Sequence, residues 1–134
     1  MRKYTQILIV LSLMFLGSKA VSAQTAERIN FYKGATEATV SSSLRSFRDK
    51  KVFVIKVRRG QTMNVEQIRA ESSFRLVSLS IKSPSGADAT DADASCNSRK
   101  TVAPTEAGDY FITVYGCGKV DAWRGRFRLK ISVK

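Results

Sequence analysis

Hydrophobic and polar residues alternate with a period of two in four segments of the chain. Such alternation is typical of strands that bury one face and expose the other. Short runs rich in Gly, Pro, Asp or Ser separate the segments, as expected of tight turns. The residues of the hydrophobic faces are, in chain order, Phe53, Ile55 and Val57; Val77, Leu79 and Ile81; Tyr110, Ile112 and Val114; and Phe127, Leu129, Ile131 and Val133.

Three further segments have a weaker strand pattern: Ile29–Lys33, Ala38–Leu44 and Thr62–Ile68. No amphipathic segment has the roughly 12 residues of an ordinary helix. The stretch from Gly86 to Asn97 is rich in Ala, Asp and Ser and predicts a long polar loop. The pattern therefore predicts an all-β fold, an antiparallel β-sandwich or jelly roll of about seven to eight short strands.

The N-terminus has the features of a secretory signal peptide. Arg2 and Lys3 precede the apolar run Ile7–Leu16, and short side chains lead up to Ala23. The apolar run is about half the ~20 residues that a membrane-spanning helix needs, so no membrane span is expected. We therefore expect residues 1–23 to be a cleaved signal peptide and residues 24–134 to form a single periplasmic domain.

Composition excludes several classes of function. The 134 residues include no His, the commonest general base and metal ligand, and only two Cys, too few for a four-thiolate zinc site. The sequence implies no enzyme activity and no cofactor. In an oxidising compartment Cys96 and Cys117 are expected to form a disulfide. The alternative, a reactive Cys nucleophile, lacks a His partner.

One acidic segment partly resembles a calcium loop. Asp91, Asp93 and Ser95 occupy its first three oxygen positions. The loop then needs Gly and later Glu, but Cys96 and Val102 stand at those positions. No metal site is therefore expected.

The chain is strongly basic. It has 23 Lys and Arg against 11 Asp and Glu, a net charge of +12, and loss of the predicted signal peptide with its three cations leaves +9. Nucleic acid is not an expected partner of an exported protein. Two interpretations of the basic stripes remain open: they keep exposed strands soluble and unpaired, or they attract an anionic envelope glycan or other polyanion. The stripes consist of Lys56, Arg58 and Arg59, and of Arg126, Arg128 and Lys130.

The segment that follows the Tyr110 strand carries several candidate binding residues. It contains Lys119, Asp121, Trp123 and Arg124, and Trp123 is the only Trp of the chain. Trp and Arg are enriched among the residues that dominate binding energy at interfaces. The alternative is that Trp123 caps one end of the sandwich with its indole ring buried.

The order of these short motifs resembles the periplasmic inhibitors of g-type and i-type lysozymes, and more loosely the prepeptidase C-terminal type of β-sandwich. The resemblance covers nearly all of residues 24–134. It is carried by Ile29-Asn30-Phe31 with Lys33-Gly34, Ala38-Thr39-Val40, Val52-Phe53-x-Ile55 with Gly60-Gln61, Met63-x-Val65, Ala107-Gly108-Asp109-Tyr110 and Leu129-Lys130-Ile131.

The resemblance implies a non-enzymatic protein that inserts loops into the active-site cleft of a lysozyme. In these inhibitors a Ser-Gly-x-Tyr turn and a nearby basic loop enter the cleft. Gly108 and Tyr110 match the turn, whereas Ala107 replaces its Ser. Lys119, Asp121 and Arg124 are similar to the basic loop, with Trp123 as a departure. The resemblance thus implies that the five matched residues contact a lysozyme at one end of the sandwich, and Trp123 is expected to contact it beside them.

Overall fold

The computed structural model describes residues 25–46, 48–68, 76–89, 96–117 and 125–134. The predicted signal peptide lies outside them. Within these ranges the regular structure consists of strands, which confirms the predicted all-β fold. They are β1 (Glu27–Arg28), β2 (Glu37–Leu44), β3 (Lys50–Val57), β4 (Met63–Ile68), β5 (Val77–Lys82), β6 (Arg99–Val102), β7 (Gly108–Gly116) and β8 (Gly125–Val133). In the same ranges no helix is long and apolar enough to cross a membrane.

The strands form two four-stranded sheets. One has the order β1-β3-β7-β5 and the other β2-β8-β4-β6, with every pairing antiparallel except β1 with β3. The hydrophobic faces predicted from the period-two pattern meet between the sheets and form the core. Phe53 of β3 and Phe127 of β8 make an edge-to-face contact across it, with ring centroids 6.3 Å apart.

Two details of strand assignment differ from the sequence prediction. The first strand is Glu27–Arg28 rather than Ile29–Lys33, although the N–H of Ile29 still donates to the carbonyl of Val54. The short strand β6 was not predicted. Its first inward position is Lys100, which is 4% exposed, so the segment lacks the apolar alternation of a half-buried strand.

The chain that follows β5 covers the free edge of that strand. After a turn at Ser83–Gly86, the N–H of Ala89 donates to the carbonyl of Ile81, and the N–H of Leu79 donates to the carbonyl of Asn97. Exposed sheet edges invite pairing with other chains, and this return segment blocks one. The described ends of the predicted 86–97 loop therefore lie along the sheet, while residues 90–95 are outside the described ranges.

The predicted disulfide between Cys96 and Cys117 is present. It joins the return segment to the residue that follows β7. A disulfide that closes a loop as long as the one between Cys96 and Cys117 stabilises a fold by roughly 3 kcal/mol, because it lowers the chain entropy of the unfolded state.

The sandwich has two ends, which are called the Gly108 end and the Cys117 end after residues at the start of β7 and just beyond it. Gly108 pairs with Val57 at the first end, and Tyr115 pairs with Lys50 near the second. The Gly108 end contains the β3–β4 turn (58–62), the turn after β5 (83–86) and the β6–β7 loop (103–107). The Cys117 end contains the β2–β3 connection and the points where the β7–β8 segment begins and ends.

Candidate functional site

The β6–β7 loop at the Gly108 end is held against the β3–β4 turn by Thr105. The Thr105 N–H donates to the carbonyl of Gln61 over 2.9 Å, and its carbonyl accepts from the N–H of Gly60 over 2.8 Å. The Thr105 hydroxyl donates to the carbonyl of Arg58 and accepts from the N–H of Gln61. With a side chain only 2% exposed, Thr105 fixes the base of the loop.

Tyr110, predicted as a partner-contacting residue, is a core residue with 1% exposure. Its hydroxyl accepts a hydrogen bond of 2.8 Å from the N–H of Glu106. A tyrosine near the start of a strand that binds the backbone a few residues upstream is known from other sandwiches as a tyrosine corner. At this position Tyr110 holds the loop in shape, and little of its surface is available to a partner.

Gly108 lies where the loop enters β7 and has a φ of +133°. This conformation strongly favours glycine. A Cβ at this position would lie 3.0 Å from both Cβ and Cγ of Pro84. Gly108 therefore lets the loop enter β7 while packed against the turn after β5.

Asp109 anchors the loop to β1. Its carboxylate accepts two hydrogen bonds from the guanidinium group of Arg28, over 3.1 and 2.8 Å. These hydrogen bonds are the main cause of a lowered pKa of Asp109; desolvation, the next-largest effect, opposes them, and the charges of Arg28 and Lys56 lower the pKa further. The pKa of Arg28 is raised by the same pairing. Lys56 faces Asp109 from β3.

The tip of this loop is exposed. Glu106 and Ala107 lie on the surface, and Arg58 and Arg59 are exposed in the adjacent turn. The arrangement is a small exposed tip on a hydrogen-bonded base with cations beside it, which suits binding to a partner. We name residues 103–109 with Arg58 and Arg59 the tip site.

The second group of predicted site residues belongs to a segment whose described flanking residues, Cys117 and Gly125, lie at the Cys117 end. Lys119, Asp121, Trp123 and Arg124 lie outside the described residues, but the segment that carries them leaves the sandwich at Cys117 and returns at Gly125. The nine residues of β7 separate Gly108 from Gly116 by about 26 Å at ~3.3 Å per residue. Gly108 and Cys117, from which the other segment departs, therefore lie at opposite ends of β7, and the position of Lys119, Asp121, Trp123 and Arg124 stays a prediction.

The three cations of the predicted basic stripe on β8 differ in whether they form an ion pair. Lys130 lies 3.4 Å from a carboxylate oxygen of Glu37 on β2. Arg126 and Arg128 are exposed, and neither has an ion-pair partner among the described residues. The uncompensated charge of this face is therefore concentrated on two of its three cations.

Sequence reasoning missed the residues that support the tip site. Thr105, Pro84 and Arg28 were assigned no role, since each acts through a contact with a distant part of the chain. One local signal was present: Tyr110 follows Glu106 by four residues at the start of a strong strand, the spacing of a tyrosine corner.

Comparison with known proteins finds similarity in fold. No protein-family model and no curated protein sequence matches the chain. Among solved structures, PliG of Aeromonas hydrophila, a periplasmic lysozyme inhibitor of g-type lysozyme, is 22% identical with a TM-score of 0.62, over 82% of this chain and 96% of that one. At this identity the likeness establishes a shared fold.

Two further structures of the same kind are similar. PliG of Salmonella Typhimurium is 18% identical with a TM-score of 0.55, over 82% of this chain and 100% of that one. A mutant of Escherichia coli PliG is 16% identical with a TM-score of 0.57, over 81% and 97%. Both are described as periplasmic inhibitors of g-type lysozyme. The resemblance seen in the short sequence motifs therefore holds for the fold.

Proposed function

We propose that the protein is a periplasmic, non-enzymatic inhibitor of a lysozyme of the g type. The observation that carries the proposal is the tip site: the Ala107-Gly108-Asp109-Tyr110 turn that resembles the inhibitor motif lies on an exposed, hydrogen-bonded loop of the fold that the chain shares with PliG. The three solved structures named above, which share this fold, are inhibitors of g-type lysozyme, and this favours the g type as the class of target.

In the proposed mechanism the tip of the β6–β7 loop enters the substrate cleft. Thr105, Gly108 and Tyr110 fix its shape, so that little conformational entropy is lost on binding. Arg58 and Arg59 lie beside the tip, where they can pair with the carboxylates of a glycosidase cleft. An arginine–carboxylate pair formed in a desolvated cleft is geometrically specific and excludes substrate.

Lys119, Asp121, Trp123 and Arg124 are proposed as an alternative contact region. Because their segment is anchored at the Cys117 end, the two ends of the sandwich make competing predictions about which surface meets the enzyme. Variants at each end distinguish them.

The experiment is a titration of c-, g- and i-type lysozymes with purified residues 24–134 at two salt concentrations. We expect stoichiometric inhibition of the g-type enzyme. An Arg58→Ala/Arg59→Ala variant tests the Gly108 end, and a Lys119→Ala/Arg124→Ala variant, which removes the same charge, tests the Cys117 end. The tip proposal predicts that only the first variant loses inhibition. Loss with the second alone would move the site to the Cys117 end, and no inhibition of any class would refute the inhibitor function.

A second candidate function is binding of an anionic envelope glycan or polyanion through the basic faces. Arg126 and Arg128, which have no ion-pair partner among the described residues, favour it. Binding of this kind, unlike insertion of a loop into a cleft, weakens steeply as salt screens the charges.

A further inference from the structure

The outer face of the β2–β8 pair contains an open depression of about 370 Å³. Its rim is formed by side chains that point away from the core, because Ser41 pairs with Arg128 and Ser43 with Arg126 in the strand register. The lining residues are Ser41, Ser42, Ser43, Arg126, Phe127 and Arg128.

All the charged groups of this depression are cations. Directly opposed residues on neighbouring strands have their Cβ atoms about 5 Å apart, and residues two apart on one strand lie about 7 Å apart. Arg126 and Arg128 can therefore reach one small group between them. The hydroxyls of Ser41 and Ser43 add two uncharged donors on the opposite side.

The neighbouring carboxylates of this face are already engaged. Glu37 pairs with Lys130, and Glu66 accepts a hydrogen bond of 3.0 Å from Nε of Arg99. On the β4 side Arg128 faces Ile68, which carries no charge. In the described part of the chain no carboxylate competes for the two guanidinium groups of the depression.

We propose that this depression, named here the β2–β8 slot, binds the phosphate group of a sugar phosphate. Guanidinium groups recognise phosphate with paired, geometrically specific hydrogen bonds, and serine hydroxyls complete the coordination of the remaining oxygens. A volume of about 370 Å³ exceeds that of a phosphate ion and falls in the range of small-ligand sites, which leaves room for an attached sugar ring.

The proposal narrows the second candidate function to one slot and one ligand chemistry. It does not depend on lysozyme inhibition, since the slot lies on the face of a sheet and the tip site lies at its end. Failure to bind a sugar phosphate would leave the inhibitor function unaffected. Failure to inhibit lysozyme would likewise leave the slot proposal unaffected.

The test is an NMR titration of the ¹⁵N-labelled protein, residues 24–134, with glucose 6-phosphate. The chemical shifts of the backbone amides are followed, and glucose is the uncharged control. We expect the largest shifts at 41–43 and 126–128 with the phosphate and none with glucose. An Arg126→Gln/Arg128→Gln variant should lose affinity by about tenfold or more, because it removes the charged donors.

A charge-matched variant separates the slot from general attraction. Lys33→Gln/Lys134→Gln removes two exposed cations that lie away from the slot, and we expect its affinity to change less than about twofold. Equal losses in the two variants, or shifts spread over all basic residues, would overturn the proposal.

A second arm distinguishes the source of the phosphate. Sedimentation with phosphatidylcholine vesicles that contain about one-fifth phosphatidic acid presents the same group on a lipid. Slot-dependent binding to the vesicles alone would overturn the sugar phosphate in favour of a lipid-borne phosphate, whereas slot-dependent binding of glucose 6-phosphate supports the proposal. Binding in neither arm would contradict the proposal.

Discussion

The hydroxyl of Tyr110 accepts a 2.8 Å hydrogen bond from the backbone N–H of Glu106, and so joins the core of the sandwich to an exposed loop tip. Tyr110 is almost fully buried, whereas Glu106 is exposed. A binding tip whose base is part of the core keeps one conformation before and after it meets a partner. The tip site therefore depends on Tyr110 for its shape.

Removal of this hydroxyl by Tyr110→Phe is expected to lower the free energy of unfolding by about 1 kcal/mol, the usual net value of one hydrogen bond. Inhibition should weaken as well, because the loop loses a constraint. Denaturant unfolding and lysozyme titration measure the two effects. Tyr115→Phe, on the same strand but near the Cys117 end, is the control and should leave inhibition unchanged. If both variants inhibit as well as the parent protein, the supporting role of Tyr110 is refuted.

Gly108 is expected to tolerate substitution less well than Gly34. Both have positive φ, +133° and +79°, but only Gly108 has a neighbour, Pro84, within contact distance of an added Cβ. Gly34→Ala should cost about 1 kcal/mol from backbone conformation alone. Gly108→Ala should cost clearly more, because the Cβ also displaces Pro84. Urea denaturation of the two variants gives the comparison, and equal losses would show that the close approach is unimportant.

The pair between Asp109 and Arg28 makes the anchorage of the loop dependent on pH. The pKa of Asp109 is lowered in the folded protein, chiefly by hydrogen bonds from Arg28, from an ordinary value of 3.8. The pair therefore stabilises the fold fully above that value, and its contribution disappears as the pH falls through the lowered folded pKa.

Thermal unfolding from neutral pH down to about pH 2 tests this dependence. Asp109→Asn should unfold at a lower temperature than the parent protein at neutral pH, and the difference should shrink in acid. Asp88→Asn, which removes a carboxylate from another exposed ion pair with Lys82, serves as the control. A difference for Asp109→Asn that stays constant with pH would exclude the proposed linkage.

Ala107 stands where the inhibitor motif has Ser, so this chain lacks one hydroxyl at its exposed tip. Ala107→Ser is expected to strengthen inhibition about fivefold, the equivalent of ~1 kcal/mol for one added hydrogen bond. Ala103→Ser adds a hydroxyl to an exposed position of the same loop and is the control. Unchanged or weaker inhibition by Ala107→Ser would place the tip outside the contact.

Much of the fold was predictable because each half-buried strand has a period-two pattern in its own sequence. The pattern can be recognised without knowing which strands pair with it. β7 and β8 illustrate this, since every second residue is buried along each. β6 was not predictable in this way, because buried Lys100 occupies one of its inward positions. The two-residue β1 has no pattern at all and is defined by its pairing with β3.

The candidate site was only partly predictable. The turn at Gly108 was identified from its sequence motif, but the buried position of Tyr110 and its bond to Glu106 depend on tertiary packing. The separation of Gly108 from Cys117 by the length of β7 was predictable in part, from the alternation of Tyr110, Ile112 and Val114 along this strand.

The central claim is that the tip site occupies the substrate cleft of a g-type lysozyme. Steady-state hydrolysis of a soluble chitooligosaccharide at several concentrations of the protein tests it most directly, because an inhibitor in the cleft competes with substrate. The account predicts that the apparent KM rises with inhibitor concentration while kcat stays constant. A fall in kcat at constant KM would place the contact outside the cleft, and unchanged kinetics would contradict the inhibitor function itself.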